Sequence, residues 1–386
     1  MVFFGKRGAN ISVASQFRLQ QLIEQETGVT DFHPALARLS AHSFFLAEVS
    51  MSHGNKQQWI LAKRPEGIPD SSEVILQDAQ IPETGPGMLL VKNHYISLDP
   101  AIRGWMSDIP NYLPPIPLGD PVRATVVGEV LESGSDNIKA GDYVFGLGGW
   151  ETHSTIPVDF CTKVPDDNSF PLHYYVNILG AVGLTPYFAI ADVGQAQAGQ
   201  TMLMSAAAGA VGSVGGQIAK LMGLRVVGIA GTEEKCQWVV DELGFDDCIN
   251  YRTAGDMEAA IRTTCPEGVD FYFDNVGGEI LDAALLNMNK DSTLLFCGTI
   301  STYNATEPVP GPYNYWQILA RTITVKGYLV SDHYHRIEEG QAALSKWVKD
   351  DKIKFREHIN EGIDNCLDTY NLLFTGGNEG KLMLKL

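Results

Sequence analysis

None of the six cysteines, Cys161, Cys236, Cys248, Cys265, Cys297 and Cys366, belongs to a Cys-x-x-Cys pair, and no four of them cluster. That spacing excludes the usual structural zinc sites, so no metal is expected, and it suits a cytoplasmic protein better than a secreted, disulfide-built one. Basic charge is scarce: 28 Lys and Arg against 46 Asp and Glu leave a net charge of −18. A molecule of that sign does not collect polyanions. Nucleic acid is therefore excluded as a partner, and any phosphate must be held by a local site. Long apolar runs are also missing. Gly, Pro or a charge interrupts each one well short of the roughly 18 residues a spanning helix needs, so a soluble protein with no membrane partner is expected. No Gly-x-Ser-x-Gly elbow occurs. His94, His153 and His173 lack metal-ligand spacing to any cysteine, and His333 and His335 fit no Ser-His-Asp arrangement.

Residues 1–56 read as an N-terminal extension. They lack an apolar h-region and a small-residue cleavage pattern, which argues against export. Lys6, Arg7, Arg18 and Arg38 alternate with Glu24, Glu26 and Asp31, and these acids weaken a mitochondrial presequence reading. Ser15 to Glu26 suits a short helix, and Met51-Ser-His-Gly would serve as a natural start.

What is abundant is glycine, 39 in 386 residues, in a chain that is 45% hydrophobic and long enough for two cores. From Gln58 the pattern is one of short β runs: Trp59–Ala62, Met88–Val91, Arg123–Val127 and Tyr143–Phe145, separated by Pro, Gly and Asp. From Leu179, β runs alternate with helical stretches, the mark of a parallel sheet: Met202–Ser205, Arg225–Ile229, Asp247–Asn250, Phe271–Asp274, Thr293–Cys297 and Ile323–Tyr328. An amphipathic helix around Gln341–Lys349 and a last β run from Lys381 to Leu386 close the chain. The expected division is a β domain over 57–178, a doubly wound α/β domain over 179–335, and a segment over 336–386 that returns to the first.

The most informative stretch runs from Thr201 to Lys220. A buried strand breaks at Gly209 and a helix follows, with Gly212 and Gly215 at the G-x-x-G-x-x-G spacing that holds a pyrophosphate on free backbone N–H groups. In this reading Gly209 permits the tight turn, Gly212 lets the backbone approach the phosphates, and Gly215 lets helix and strand pack closely. No acid stands at the end of the next strand to take a ribose 2′-hydroxyl. Instead Thr232 suits an N-cap, and Glu233 and Glu234 suit the first helical turn. Lys235 is placed either to fold back onto a 2′-phosphate or to remain a solvated helix lysine, and Tyr251 is placed to pack on the same end.

Four runs, Ile96-Ser-Leu-Asp-Pro100 with Arg103-Gly-Trp-Met106, Ala206 to Gly212, Tyr272 to Gly278 and Cys297 to Asn304, resemble the zinc-independent branch of the medium-chain dehydrogenase/reductase superfamily. Within it the likeness is to the prostaglandin reductase, leukotriene B4 dehydrogenase, alkenal double-bond reductase and bacterial curcumin reductase group, from about residue 57 onward. The resemblance implies a Rossmann sheet inserted into a GroES-like, mostly β domain, NADPH as cofactor and a homodimer. It implies that Gly209, Ala210, Val211 and Gly212 cradle the pyrophosphate, that Lys235 and Tyr251 hold the 2′-phosphate end, and that Asn275 supports the cofactor. Cys297, Gly298, Thr299 and Tyr303 would border the nicotinamide, with Gly327, Tyr328, Leu329 and Asn378 lining the same groove. The implied reaction is reduction of the C=C bond of α,β-unsaturated ketones or aldehydes, with the Tyr303 phenol donating to the developing enolate oxygen. Tyr112, Arg103 and Met106 would line the substrate cleft, the alternatives being that Tyr112 is an ordinary surface-loop tyrosine and that Arg103 ties down its own loop. Ala101 departs from the pattern, since many relatives carry an aromatic residue after Asp-Pro. Quinone reduction with NADPH, or NADPH binding without catalysis, are the alternative readings.

Overall fold

The structure, a computed structural model, describes residues 54–167 and 169–386; the Ser15 to Glu26 helix and the Met51 start lie outside the described residues. The chain enters through an antiparallel hairpin, β1 (Asn55–Leu61) and β2 (Val74–Gln80). β3 (Met88–Ser97), the single-turn α1 (Ala101–Trp105), β4 (Arg123–Ser133), β5 (Tyr143–Gly149), β6 (His153–Pro157) and β7 (Cys161–Lys163) follow. Side chains alternate between faces, as in β4, where Ala124, Val126 and Val130 face the β-lobe core and Val127 packs on the other side against the second cluster. Such strands pack one face on a core. Trp59, Trp105 and Trp150 anchor that core.

The second sheet is built differently. α2 (Ala181–Phe188) leads to β8 (Thr201–Met204), α3 (Ala210–Leu221), β9 (Arg225–Ala230), α4 (Glu233–Asp241), β10 (Asp247–Asn250), α5 (Met257–Thr264), β11 (Val269–Asp274), α6 (Gly278–Asn287), β12 (Met288–Phe296), α7 (Trp316–Ala320) and β13 (Thr324–Gly327). The six strands lie in the order β10-β9-β8-β11-β12-β13, every neighbour parallel. All four residues of β8 are buried, as a central parallel strand covered on both faces requires. Helices cover both sides of this Rossmann sheet, over two separate apolar clusters. Order reverses between β8 and β11, and the crevice beyond their carboxyl ends is where such sheets take ligands.

The chain then returns. α8 (Ile337–Lys349) packs Leu344 against the α2 side of the Rossmann core, and β14 (Glu357–Glu361), α9 (Cys366–Thr375) and β15 (Lys381–Lys385) complete the first lobe. β15 pairs antiparallel with β3, Met383 opposite Ser97 and Leu384 opposite Ile96, and parallel with β14. Its first residue, Lys381, is 1% exposed. The Lys381 ammonium lies 2.6 Å from Asp99 and 3.1 Å from the Leu98 carbonyl, so one buried cation ties the last strand to the turn that follows β3.

Lys381→Met keeps the stem and removes that donor, leaving the Leu98 carbonyl and the Asp99 carboxylate short of a partner. A loss of about 2 kcal/mol is expected, read as a lower urea midpoint; an unchanged midpoint would show the pair to be energetically neutral.

Candidate active site

At the carboxyl ends of β8 and β11 the crevice is held open by one polar knot. Asp274 ends β11 fully buried, and its Oδ1 accepts from the Tyr272 hydroxyl at 2.8 Å, Val276 N–H at 2.9 Å, Gly277 N–H at 3.0 Å and the Ser205 hydroxyl at 3.1 Å. Burial pushes its carboxyl pKa up, against the pull of those donors. Asn275 braces the other side. Its backbone N–H donates to the Ser205 hydroxyl and its side-chain amide to the Ser205 carbonyl, both at 2.8 Å. Asn275 is thus engaged with the end of β8, next to the turn into α3.

In that turn the left-handed residue is Ala206, with φ of 50°, whereas Gly209 is extended at φ −78° and ψ 174°. The expectation that Gly209 supplies the tight turn is corrected here. Gly212 is required by crowding around the Ala206 carbonyl, which would lie 2.3 Å from a Cβ placed on it, and at Gly209 the same carbonyl would make a tight contact at 3.1 Å. The close helix–strand packing read for Gly215 is present, since a Cβ there would meet Met204 and Pro186 at 3.0 Å. No side chain caps α3, so the first-turn N–H groups of Ala210, Val211 and Gly212 have no intrahelical acceptor and no side-chain cap. A helix start in that condition suits an anion.

The second strand end carries the cationic part. Thr232 caps α4, its hydroxyl accepting the Lys235 N–H at 3.2 Å. The Lys235 ammonium folds back to the Gly376 carbonyl at 3.1 Å and the Asn378 carbonyl at 2.9 Å. Burial holds its pKa below the usual lysine value, and Arg252 adds to the shift. Tyr251 lies flat enough on Gly231 that a Cβ there would meet its ring at 3.1 Å, and the Arg252 guanidinium stands 5.8 Å from the same ring. Arg252 also reaches within 3.0 Å of the position a Cβ on Gly376 would take. Lys235 and Arg252 therefore converge on the segment 376–380, with Tyr251 beside Arg252, and that segment bridges to the turn before α3 through Gly380 and Gly209. Arg252 was not among the residues picked from the sequence. A cation directly after Tyr251 at a strand end was the available signal.

On the far side of the crevice the loop after β12 is pinned to the same knot. Cys297 and Gly298 donate backbone N–H to the Asp274 carbonyl, at 2.9 and 3.1 Å. Burial pushes the Cys297 thiol up to about 12, leaving it protonated. The Tyr303 hydroxyl accepts the Thr299 N–H at 3.2 Å, and burial raises its pKa, so the phenol keeps a proton to donate. Tyr328 is largely buried, its ring 5.3 Å from His333 and its phenol close enough to feel Cys297 and Tyr334, while Gly327 beside it is exposed. Leu329 is half-buried at the start of the next turn.

Of the three residues expected to line a substrate cleft, Tyr112 is exposed, edge-on to Trp105 at 6.2 Å, and its phenol feels Tyr303, Asp99 and Tyr334. Burial pushes Tyr334 up to about 12. Tyr334 and Asp99 are neighbours of this cleft that the sequence did not single out. Met106 is corrected, and for Arg103 the loop-tying alternative holds. Met106 is wholly buried in the β-lobe core. Arg103 spends its guanidinium on the Pro65 and Gly67 carbonyls, Ser107 and Asn304 at 2.7–3.0 Å, bracing the Tyr303 loop from the other lobe without facing a cleft. No three His, Cys, Asp or Glu side chains gather as a metal site among the described residues. Nor is any helix among them long and apolar enough to cross a membrane.

Family models described as the N-terminal domain of oxidoreductase and as zinc-binding dehydrogenase match residues 57–164 and 210–347. The chain is 41% identical over 334 residues to a putative NADP-dependent oxidoreductase, YfmJ, of Bacillus subtilis, covering 86% of this chain and 98% of that protein. It is 38% identical over 335 residues to the NADPH-dependent curcumin reductase of Escherichia coli, covering 86% and 96%. The structure of CurA in complex with NADPH from Vibrio vulnificus superposes with a TM-score of 0.80 at 36% identity, over 85% of this chain and 98% of that one.

Lys235→Ala removes the ammonium that joins α4 to the 376–380 segment. It is expected to weaken NADPH binding about tenfold or more, roughly 1.4 kcal/mol, and NADH binding far less; fluorescence titration showing equal losses would remove Lys235 from the 2′-phosphate end.

Proposed function

The chain belongs to the medium-chain dehydrogenase/reductase superfamily, in the group that includes NADPH-dependent curcumin reductase, and from that membership we propose that it reduces the C=C bond of α,β-unsaturated ketones or aldehydes with NADPH. The observation that carries this reading is the Tyr303 phenol, half-buried and still bearing its proton, on the loop that Asp274 pins beside the crevice. In our reading the α3 N-terminus takes the pyrophosphate, and Lys235, Tyr251 and Arg252 take the 2′-phosphate. The fit rests on an uncapped helix start beside a turn too crowded for side chains, with two cations at the adjoining strand end. NADPH, when bound, supplies the hydride.

The protein's own part is electrostatic. Hydride arrival at the β-carbon moves charge onto the carbonyl oxygen, and a phenol hydrogen bond that strengthens as that charge grows lowers the barrier. A raised pKa suits Tyr303 as donor rather than base. No acid in the cleft is assigned to the α-carbon, so solvent water delivers that proton in this reading. Tyr112 borders the substrate from the other lobe.

We further propose a homodimer. β13 is one edge of the parallel sheet, mostly exposed, and in the segment leading into it Tyr313 and Trp316 are 80% and 62% exposed. An open edge flanked by aromatic side chains is a surface that a second copy covers about a two-fold axis. The cytoplasm is the compartment we propose, because all six cysteines are free.

Two measurements test these readings. Following NADPH oxidation with a panel of enones, enals and quinones should give turnover with the enones or enals, and Tyr303→Phe should lower kcat about tenfold, roughly 1.4 kcal/mol, with little change in NADPH affinity. Turnover confined to quinones, or a variant as fast as the parent, would defeat the mechanism. Light scattering of the purified protein should give twice the 42.1 kDa chain mass; a monomer at micromolar concentration would defeat the dimer.

A further inference from the structure

α4 packs across β9 and β10, and this packing brings two thiols together. Cys236 lies in the first turn of α4 and is 5% exposed, pointing into the core. Cys248, the second residue of β10, sends its sulfur to the same side of the sheet, 3.2 Å from where a Cβ on Gly228 would sit, beside Ala207 and Phe245. Both belong to one apolar cluster, with Cys248 at its partly exposed rim. The two side chains lie close enough that each shifts the ionisation of the other.

We propose that Cys236 and Cys248 form a reversible disulfide site that closes under hydrogen peroxide and, once closed, weakens the grip on NADPH. Cys236 is the attacking sulfur. Cys248 beside it holds its thiol pKa below the usual value, against burial and the neighbouring Glu233 and Asp247, and it stands at a helix start that favours an anion. Its sulfur attacks one peroxide oxygen; an S–O bond forms, the O–O bond breaks, and the leaving hydroxide becomes water. The Cys248 sulfur, giving up its proton, then attacks the Cys236 sulfur and displaces a second water. In total two thiols lose two electrons and two protons, and one peroxide becomes two waters.

The consequence for the cofactor follows from where the pair sits. Disulfide sulfurs stand about 2.05 Å apart, closer than unbonded sulfurs, so closure draws the first turn of α4 toward β10. Lys235 immediately precedes Cys236, and its ammonium holds the Gly376 and Asn378 carbonyls. Tyr251 lies three residues beyond Cys248. Moving this turn takes Lys235 off its acceptors. This second half rests on NADPH binding as proposed above; the bond itself does not.

The test treats the full chain with hydrogen peroxide, alkylates the remaining thiols, and maps peptides without reductant. A linked Cys236–Cys248 peptide that dithiothreitol cleaves is expected. With it the NADPH dissociation constant should rise at least about threefold and recover on reduction, whereas Cys248→Ser should show neither change. Both thiols found alkylated after peroxide would overturn the site, and a linked peptide with unaltered NADPH affinity would overturn the coupling. If the reduced protein binds no NADPH, the proposed function fails, and the peptide map still decides the thiol site.

Discussion

The arrangement of the crevice depends on one buried carboxylate. Asp274 terminates the strand at which the sheet order reverses, and its Oδ1 alone gathers two backbone N–H groups and two hydroxyls. Through Ser205 it fixes the end of β8, hence the turn that places α3. Through its own carbonyl it fixes Cys297 and Gly298, hence the loop that carries Tyr303. A carboxylate held this way is costly to bury. The return is that two loops on opposite sides of the groove are referenced to the same atom cluster.

Much of this was legible because it depends on local pattern. The parallel strands are short β runs set between helical stretches, and Asp247–Asn250 appears with the bounds read from the sequence, while Met202–Ser205 is displaced by one residue. The Thr232 cap follows from residue type alone. β2 and β14 were missed for the converse reason. Val-Ile-Leu-Gln-Asp-Ala-Gln and Glu-His-Ile-Asn-Glu carry too few buried positions to show a period, and only pairing with β1 and β15 makes them strands.

The site residues divide along the same line. Glycine spacing marked the turn before α3, yet the left-handed residue is Ala206, because the carbonyl crowding that demands glycine at 212 is a three-dimensional fact. Arg103 and Met106 share a motif but not a role: helix geometry turns Met106 inward and points Arg103 at Asn304, 201 residues away. Arg252 became visible only when the C-terminal segment was seen lying against it.

The 376–380 segment also couples the two lobes. Gly380 bridges Gly209, and the carbonyls at 376 and 378 receive Lys235, so a stretch between α9 and β15 of the first lobe lies against two strand ends of the second. Every strand of the parallel sheet is complete by Gly327, about fifty residues before that stretch is reached. The sheet is thus built from one continuous part of the chain, whereas the covering of its turns is contributed by the other lobe, and any rotation of one lobe against the other would be felt first at Lys235 and Gly209.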